Sequence, residues 1–319
     1  MGERVNRMNS TNLNIRHARD GLWLAAIAAV LFSAKAILAK FLYRYGIDAV
    51  TLIMLRMLFS LPVFATVALI ETWRAHRNGN RLSWRECGHI VVLGFFGYYL
   101  SSFLDFWGLQ YVSASLERLI LFLNPSLVVL IGVLFLRRPV ARAQWIAMLV
   151  SYVGIVLVFW EGLRLGGSKV ALGSALVFAA ALSYALYLLM SGALVKRVGS
   201  LRLVAYAMCV STAACIIQFV LIHPFQTLQQ PAAVYGLSVI NALFCTVVPV
   251  YLTMFAIARI GPAATAQTAM IGPVSLVFLG WWLLGEHITA MQLAGTAIVI
   301  AGIWLLTRVK PIELSRQEP

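Results

Sequence analysis

Apolar stretches of about 20 residues alternate along this chain with short polar or turn-forming breaks. A helix rises about 1.5 Å per residue, so each stretch is long enough to cross a hydrocarbon layer of about 30 Å. The pattern predicts ten helical spans, at 22–43, 49–70, 87–107, 113–135, 142–160, 170–190, 201–223, 232–257, 263–284 and 291–308. The connections are short, which makes consecutive spans antiparallel neighbours, and no soluble domain fits between them. The polar stretch 1–20 reads as a flexible tail without the apolar core or cleavage site of a secretory signal. Residues 309–319 form a second tail.

Composition agrees. The chain is 61% hydrophobic and 11% charged, against about 25% charged in soluble proteins. A net charge of +14 raises the question of nucleic acid, but the basic residues sit in short loops rather than on one polar face, so no nucleic-acid partner is expected. They orient the chain instead. With the N-terminus in the cytoplasm, the inner segments carry 18 Lys and Arg and the outer loops only Arg44, Arg164 and Lys169. That bias satisfies the positive-inside rule and predicts a multi-pass protein of the cytoplasmic membrane with both termini inside.

Sliding the chain against itself by 148 residues aligns Pro125 with Pro273, Gly132 with Gly280, Gln144 with Gln292 and Gly154 with Gly302. Two units follow, 21–160 and 170–308, joined by an outer linker at 161–169. Each has five spans, an odd number, so the second copy crosses the membrane in the opposite sense. The inner pair Arg137-Arg138 aligns with the outer Gly285-Glu286, so the charge changes as the side does. Inverted repeats are characteristic of secondary transporters, whose substrate site lies between the halves near the midplane, often at interrupted helices.

The segments YVSASLERLILFLNPSLVVLIGVLFLRRPV and RIGPAATAQTAMIGPVSLVFLGWWLLGEHITAMQLAGTAIVIAGIWLL resemble the two halves of the EamA family in the drug/metabolite transporter superfamily. In both, a small-residue helix start leads to a mid-helix proline, a tight loop and a Gly-rich last helix. The resemblance spans residues 21 to 307. It implies an all-α membrane fold of ten helices around a central cavity, and export of small metabolites or drugs. The first half departs from the pattern at Arg137-Arg138, where the family often has Gly-Glu.

Six ionisable residues fall within the spans of the first half: Lys35, Lys40, Arg56, Asp105, Glu117 and Arg118. Counting helical rise places Arg56 about 10 Å and Arg118 about 8 Å below the outer helix ends. Isolated charges at such depth cost a few kcal/mol or more, so each needs a partner or a wet cavity. A structural salt network would satisfy them, with the Lys40 stem reaching the surface. A cavity lining would satisfy them too, and the excess of cations would then attract a carboxylate or phosphate. Lys35, Arg56, Asp105, Glu117, Arg118 and Asn124 are the cavity candidates, joined by Tyr98 or Tyr99 from the aromatic-rich third span. Burial and nearby cations push a carboxyl in opposite directions, so Asp105 and Glu117 are open candidates for carrying a coupling proton. Pro125 and Pro273 interrupt their helices and read either as hinges for alternating access or as packing kinks. The second half offers only mild polar candidates, Asn241, Thr253, Thr265 and Gln267, and its last span shows a stripe of Ala294, Ala297 and Ala301 suited to close packing.

A secondary transporter of a small organic metabolite accounts for these features, with export of amino acids or related carboxylates favoured. A multidrug or cationic-compound exporter of the same fold is the alternative, and an intramembrane enzyme or a channel is more distant. The five histidines are scattered, and the chain has no HExxH, GxSxG or Walker A motif, so the sequence points away from enzymatic chemistry. The cysteines, Cys87, Cys209, Cys215 and Cys245, lack metal-ligand spacing. No cofactor or metal is expected. The partners are a small-molecule substrate and membrane lipid, with protons a candidate coupling ion; the oligomeric state is open.

Overall fold

Helix is the only regular structure among the described residues, 2–136, 141–166 and 168–308 of a computed structural model. Nine helical stretches are long and apolar enough to cross a membrane: α1 (Arg19–Tyr43), α2 (Ala49–Arg77), α3 (Trp84–Leu109), α4 (Ala114–Phe135), α5 (Arg142–Arg164), α6 (Lys169–Gly192), α7 (Ser200–Ile222), α8 (Ala232–Gly261) and α9 (Ala264–Leu284). A shorter apolar helix, α10 (Ala290–Leu305), follows among the described residues. The expected flexible N-terminal tail is instead helical from Gly2, continuous with α1. The Arg137-Arg138 departure and the 309–319 tail lie outside the described residues, as does the Gln267 side chain.

Packing is pairwise between the two halves of the sequence. α5 lies against α10, α2 against α7, α1 against α8 and α3 against α6. On α5 and α10 the contact is made by glycine: a Cβ on Gly154 would meet the Gly295 carbonyl at 2.7 Å, and one on Gly302 would meet the Ser151 amide nitrogen at 2.6 Å. Small residues let two apolar helices approach backbone to backbone, gaining dispersion contacts that lipid cannot match. The alanine stripe predicted to pack does not. Ala294, Ala297 and Ala301 are exposed, while Gly295, Thr296, Val299 and Gly302 are buried. Glycine, not alanine, allows the close approach, so the packing face follows Gly295 and Gly302.

Helical regularity breaks at matching places. A π-helical turn covers Phe95–Leu100 in α3, and another covers Leu243–Val247 in α8; their starts are 148 residues apart. Such turns are over-represented at functional sites. α4 breaks between Leu121 and Asn124, and α9 between Thr268 and Ile271. Both prolines fall in the first turn after the break, where a missing N–H costs little. They do not kink a continuous helix. Pro125 would leave the Leu121 carbonyl without its donor, and the Asn124 side-chain amide supplies one at 2.7 Å. At the other break the Gly272 amide donates to Ala269 at 2.9 Å.

The α2–α7 pair is clasped at both ends. At one end Asp48 caps α2, accepting from Val50 and Thr51 at 3.2 and 3.1 Å, and meets His223 Nε2 at 3.0 Å. At the other end Arg202 of α7 donates to the Asn80 carbonyl, just past α2, at 3.1 Å. Beside it Arg197, in the last turn of the helix Ser168–Val198 that contains α6, pairs with Glu86 of α3. Partial burial works to raise the Asp48 carboxyl, but the Thr51 and His223 hydrogen bonds outweigh it and hold it below the usual carboxylate range. A lowered folded value means that stabilisation is complete above the unfolded value and is lost as pH falls through the folded one. Asp48→Ala is therefore expected to cost about 1 kcal/mol near neutrality. That loss should shrink as pH drops below about 4, read as the difference in thermal unfolding between variant and parent.

Candidate functional site

Lys35 comes from the middle of α1, Asp105 from the last turns of α3 and Glu117 from the first turns of α4. The Lys35 ammonium lies 2.6 Å from Asp105 Oδ2 and 3.6 Å from Glu117 Oε1. Its side chain is 14% exposed, those of the acids 4% and 1%. One cation thus stands between two buried carboxyls and is bound closely by only one. Among the described residues no donor reaches either Glu117 oxygen or Asp105 Oδ1, and the two carboxyls face each other.

The two guanidinium groups meet no carboxylate within salt-bridge distance. Arg56, buried in α2, donates to Ser102 Oγ at 3.0 Å and to Thr246 Oγ1 at 3.3 Å. Its Cζ also lies 4.8 Å from the centroid of the Phe106 ring, which Lys35 Nζ approaches at 5.1 Å. A ring quadrupole between two cations offsets part of their desolvation. Arg118 has neither a hydrogen bond nor an ion pair among the described residues, and its Nε is buried without a partner. Its Nη2 lies against Gly272, at the α9 break, where even a methyl group would be 2.9 Å away. The Gly272 carbonyl meanwhile accepts from Ser33 of α1 at 3.0 Å. α1, α4 and α9 therefore converge on one point.

These groups border a cavity of about 490 Å³. Lys35, Arg56, Asp105 and Arg118 supply its charge, Ser101, Ser102, Asn124 and Thr246 its neutral polar groups, and Phe32, Tyr98, Phe122 and Tyr184 its aromatic walls. Of the residues singled out in the sequence, Lys35, Arg56, Tyr98, Asp105, Arg118, Asn124 and Pro125 line this space. Glu117 lies behind the wall, screened by Lys35. Tyr99 turns into an aromatic stack with Phe95 and Phe103. Pro273 is buried in α9, off the lining.

Sequence reasoning missed Ser102, Thr246 and Tyr184, and of the milder second-half candidates Asn241 is fully buried, off the cavity, with no partner for its side-chain amide among the described residues. A signal for Thr246 was present: it stands 148 residues after Tyr98. The same offset relates Ser102 to Val250, Arg118 to Ala266 and Leu121 to Ala269, all lining residues. Matching backbones thus present charge from one half and small apolar groups from the other.

At one end of α4 the second half reaches across. Glu286 Oε1 accepts from the Ala114 amide at 3.0 Å and Oε2 from Ser115 Oγ at 3.2 Å. A carboxylate at a helix N-terminus satisfies orphan donors and meets the positive end of the dipole. Glu286→Ala is expected to destabilise by about 1 kcal/mol and to speed amide exchange at Ala114–Leu116, read by hydrogen–deuterium exchange.

The sequence profile of the EamA-like transporter family matches residues 19–160 and again 171–308. The chain belongs to the EamA-like transporter family. It is a multi-pass membrane protein and, as family members are transporters, a transporter rather than an enzyme. This EamA protein is 31% identical over 290 residues to "Uncharacterized transporter YcbK" of Bacillus subtilis, covering 88% of this chain and 90% of that one. A protein of Streptantibioticus cattleyicolor named "Probable terminal-alkyne amino-acid exporter" is 27% identical over 70% of this chain and 74% of its own length. A crystal structure superposes with a TM-score of 0.60 over 90% of this chain and 97% of the other, at 16% identity, which speaks to the fold alone.

Proposed function

We propose that this transporter is a secondary carrier exporting small amphipathic carboxylates, amino acids and their close relatives foremost, by alternating access of two inverted five-helix halves. The observation that carries this reading is the Arg118 guanidinium: it stands at the wall of a cavity of about 490 Å³ with no hydrogen bond or ion pair of its own among the described residues. A buried cation is costly unless something pairs with it, and a substrate carboxylate is the missing partner. Lys35 is already neutralised by Asp105, and Arg56 is held by Ser102 and Thr246, which leaves Arg118 the free anchor. Apolar and aromatic walls with a few convergent polar groups suit a ligand of amino-acid size.

Several features support ten spans, in repeats at 21–160 and 170–308, with the second inverted. The family profile matches each unit separately. The pair α1–α8 is what a two-fold exchange of the halves makes of α3–α6, while α2–α7 and α5–α10 map onto themselves. Two of the three π turns and both helix breaks fall in corresponding places, while the third π turn, Gly280–Leu284, corresponds to regular helix at 132–136. The 18-to-3 charge bias supports cytoplasmic termini in the inner membrane. The amino-acid exporter named among the relatives agrees with the substrate class.

Purified protein in proteoliposomes tests the proposal. Labelled neutral amino acids should show saturable counterflow that an excess of unlabelled amino acid accelerates. Flux that rises linearly with concentration indicates a channel and overturns the carrier. Counterflow of organic cations with none of amino acids overturns the substrate class.

A further inference from the structure

Glu117 is unexplained by substrate binding. It lies off the cavity lining, is 1% exposed, and receives no hydrogen bond at either oxygen. A carboxylate in such a place lacks every donor that normally offsets its desolvation. The charged groups acting on it are Lys35 from α1, Asp105 from α3, its own neighbour Arg118, and Lys40 one turn further along α1, whose stronger charge partner is Glu286; α9, packed on the same segment of α4, brings no charged side chain to it. Lys35 has chosen Asp105, at 2.6 Å against 3.6 Å from Glu117. With Arg118 reserved for substrate, the Lys35–Asp105–Glu117 group is neutral only when one acid holds a proton. The acid without the ammonium contact is Glu117.

We propose that Glu117 carries a coupling proton and that Lys35, by moving between Asp105 and Glu117, makes proton and substrate mutually exclusive. The inference rests on the carrier reading above. In the proton-loaded state Glu117 is the neutral acid and Lys35 pairs with Asp105. A substrate amine arriving as ammonium takes the place of Lys35 at Asp105, which lines the cavity, while its carboxylate pairs with Arg118. Lys35 closes from 3.6 Å to hydrogen-bond distance from Glu117, a shift of about 1 Å; the Glu117 O–H bond breaks and its proton passes through the space Lys35 vacates to water in the cavity. The two acids, the lysine and either one proton or one substrate ammonium sum to zero, and the charge of Arg118 is offset only when the substrate carboxylate is bound. One proton is exchanged for one substrate, which makes the carrier an antiporter that an inward proton gradient drives toward export.

Infrared spectroscopy of the unmodified protein in bilayers reads the proton directly. A protonated-carboxyl band is expected at neutral pH, shifting when the protein is grown on carboxyl-labelled glutamate but not on labelled aspartate, and absent in Glu117→Gln. No band at neutral pH, or one that follows aspartate labelling, overturns the assignment. In proteoliposomes, acid on the face toward which substrate moves should drive labelled phenylalanine against its gradient, the probe suited to walls of Phe32, Tyr98, Phe122 and Tyr184. Glu117→Gln should lose that response and the pH dependence of counterflow. Saturable counterflow that a pH gradient fails to drive in the parent protein overturns the coupling while the carrier stands. If no amino acid counterflows, the substrate reading falls, and the infrared band still decides the proton.

Discussion

Arg118→Gln is expected to raise the half-saturating concentration of carboxylate substrates by about 10- to 100-fold. The estimate follows from the worth of a hydrogen bond to a charged partner, about 1.5–3 kcal/mol, at 1.4 kcal/mol for each factor of ten. The same change should leave folding intact. Arg118 makes no hydrogen bond or ion pair among the described residues, so its removal orphans no partner and relieves a buried charge. Lys35→Met provides the contrast, since it strips two buried carboxyls of their shared cation and should lower the thermal midpoint. Concentration-dependent counterflow checks the first expectation and thermal unfolding in detergent the second. A half-saturation in Arg118→Gln equal to that of the parent places the carboxylate elsewhere. Amines lacking a carboxylate, if carried, should not respond to the substitution.

Gly302→Leu should cost about 3 kcal/mol or more, at the upper end of what overpacking a filled site costs. A Cβ at this position already runs into Ser151 Oγ and lies 2.6 Å from the Ser151 amide nitrogen and 2.8 Å from the Ala147 carbonyl. The last two are backbone atoms, which no rotamer change can move aside. α5 and α10 must separate, and theirs is among the most extensive helix pairings in the protein. One residue earlier the outcome reverses. Ala301 is exposed, so Ala301→Leu should be nearly neutral in a lipid environment. The pair is compared by accumulation in the membrane and by thermal midpoint; equal effects would mean that the α5–α10 contact does not set stability.

The difference between Ala301 and Gly302 shows where the sequence stops being informative. Both are small residues on a helix that is apolar all round, and without a polar face nothing in the pattern says which side is buried. A soluble helix announces its buried stripe; a membrane helix does not, because lipid and protein interior are alike apolar. An alanine stripe is therefore as good a candidate as a glycine one until the partner helix is in place. Tyr98 and Tyr99 pose the same problem: neighbours about 100° apart on a helix, one at the cavity and the other in an aromatic stack. Glu117 and Arg118 divide likewise, one behind the wall and one on it.

What the sequence alone determined is set by terms that act on a residue whatever its neighbours. The cost of an unsatisfied peptide group in hydrocarbon makes the long apolar stretches helices, and the charge gradient along the loops leaves its mark on composition. Proline chemistry marks where α4 and α9 break, and the 148-residue offset marks correspondence between the halves. Only the tertiary structure decided how Lys35 divides between two acids, that Ser102 and Thr246 occupy Arg56, and that Arg118 is left without an ion pair among the described residues. Those outcomes are relative distances between helices far apart in the chain. A difference of an ångström decides which charge is compensated, and no local pattern encodes it.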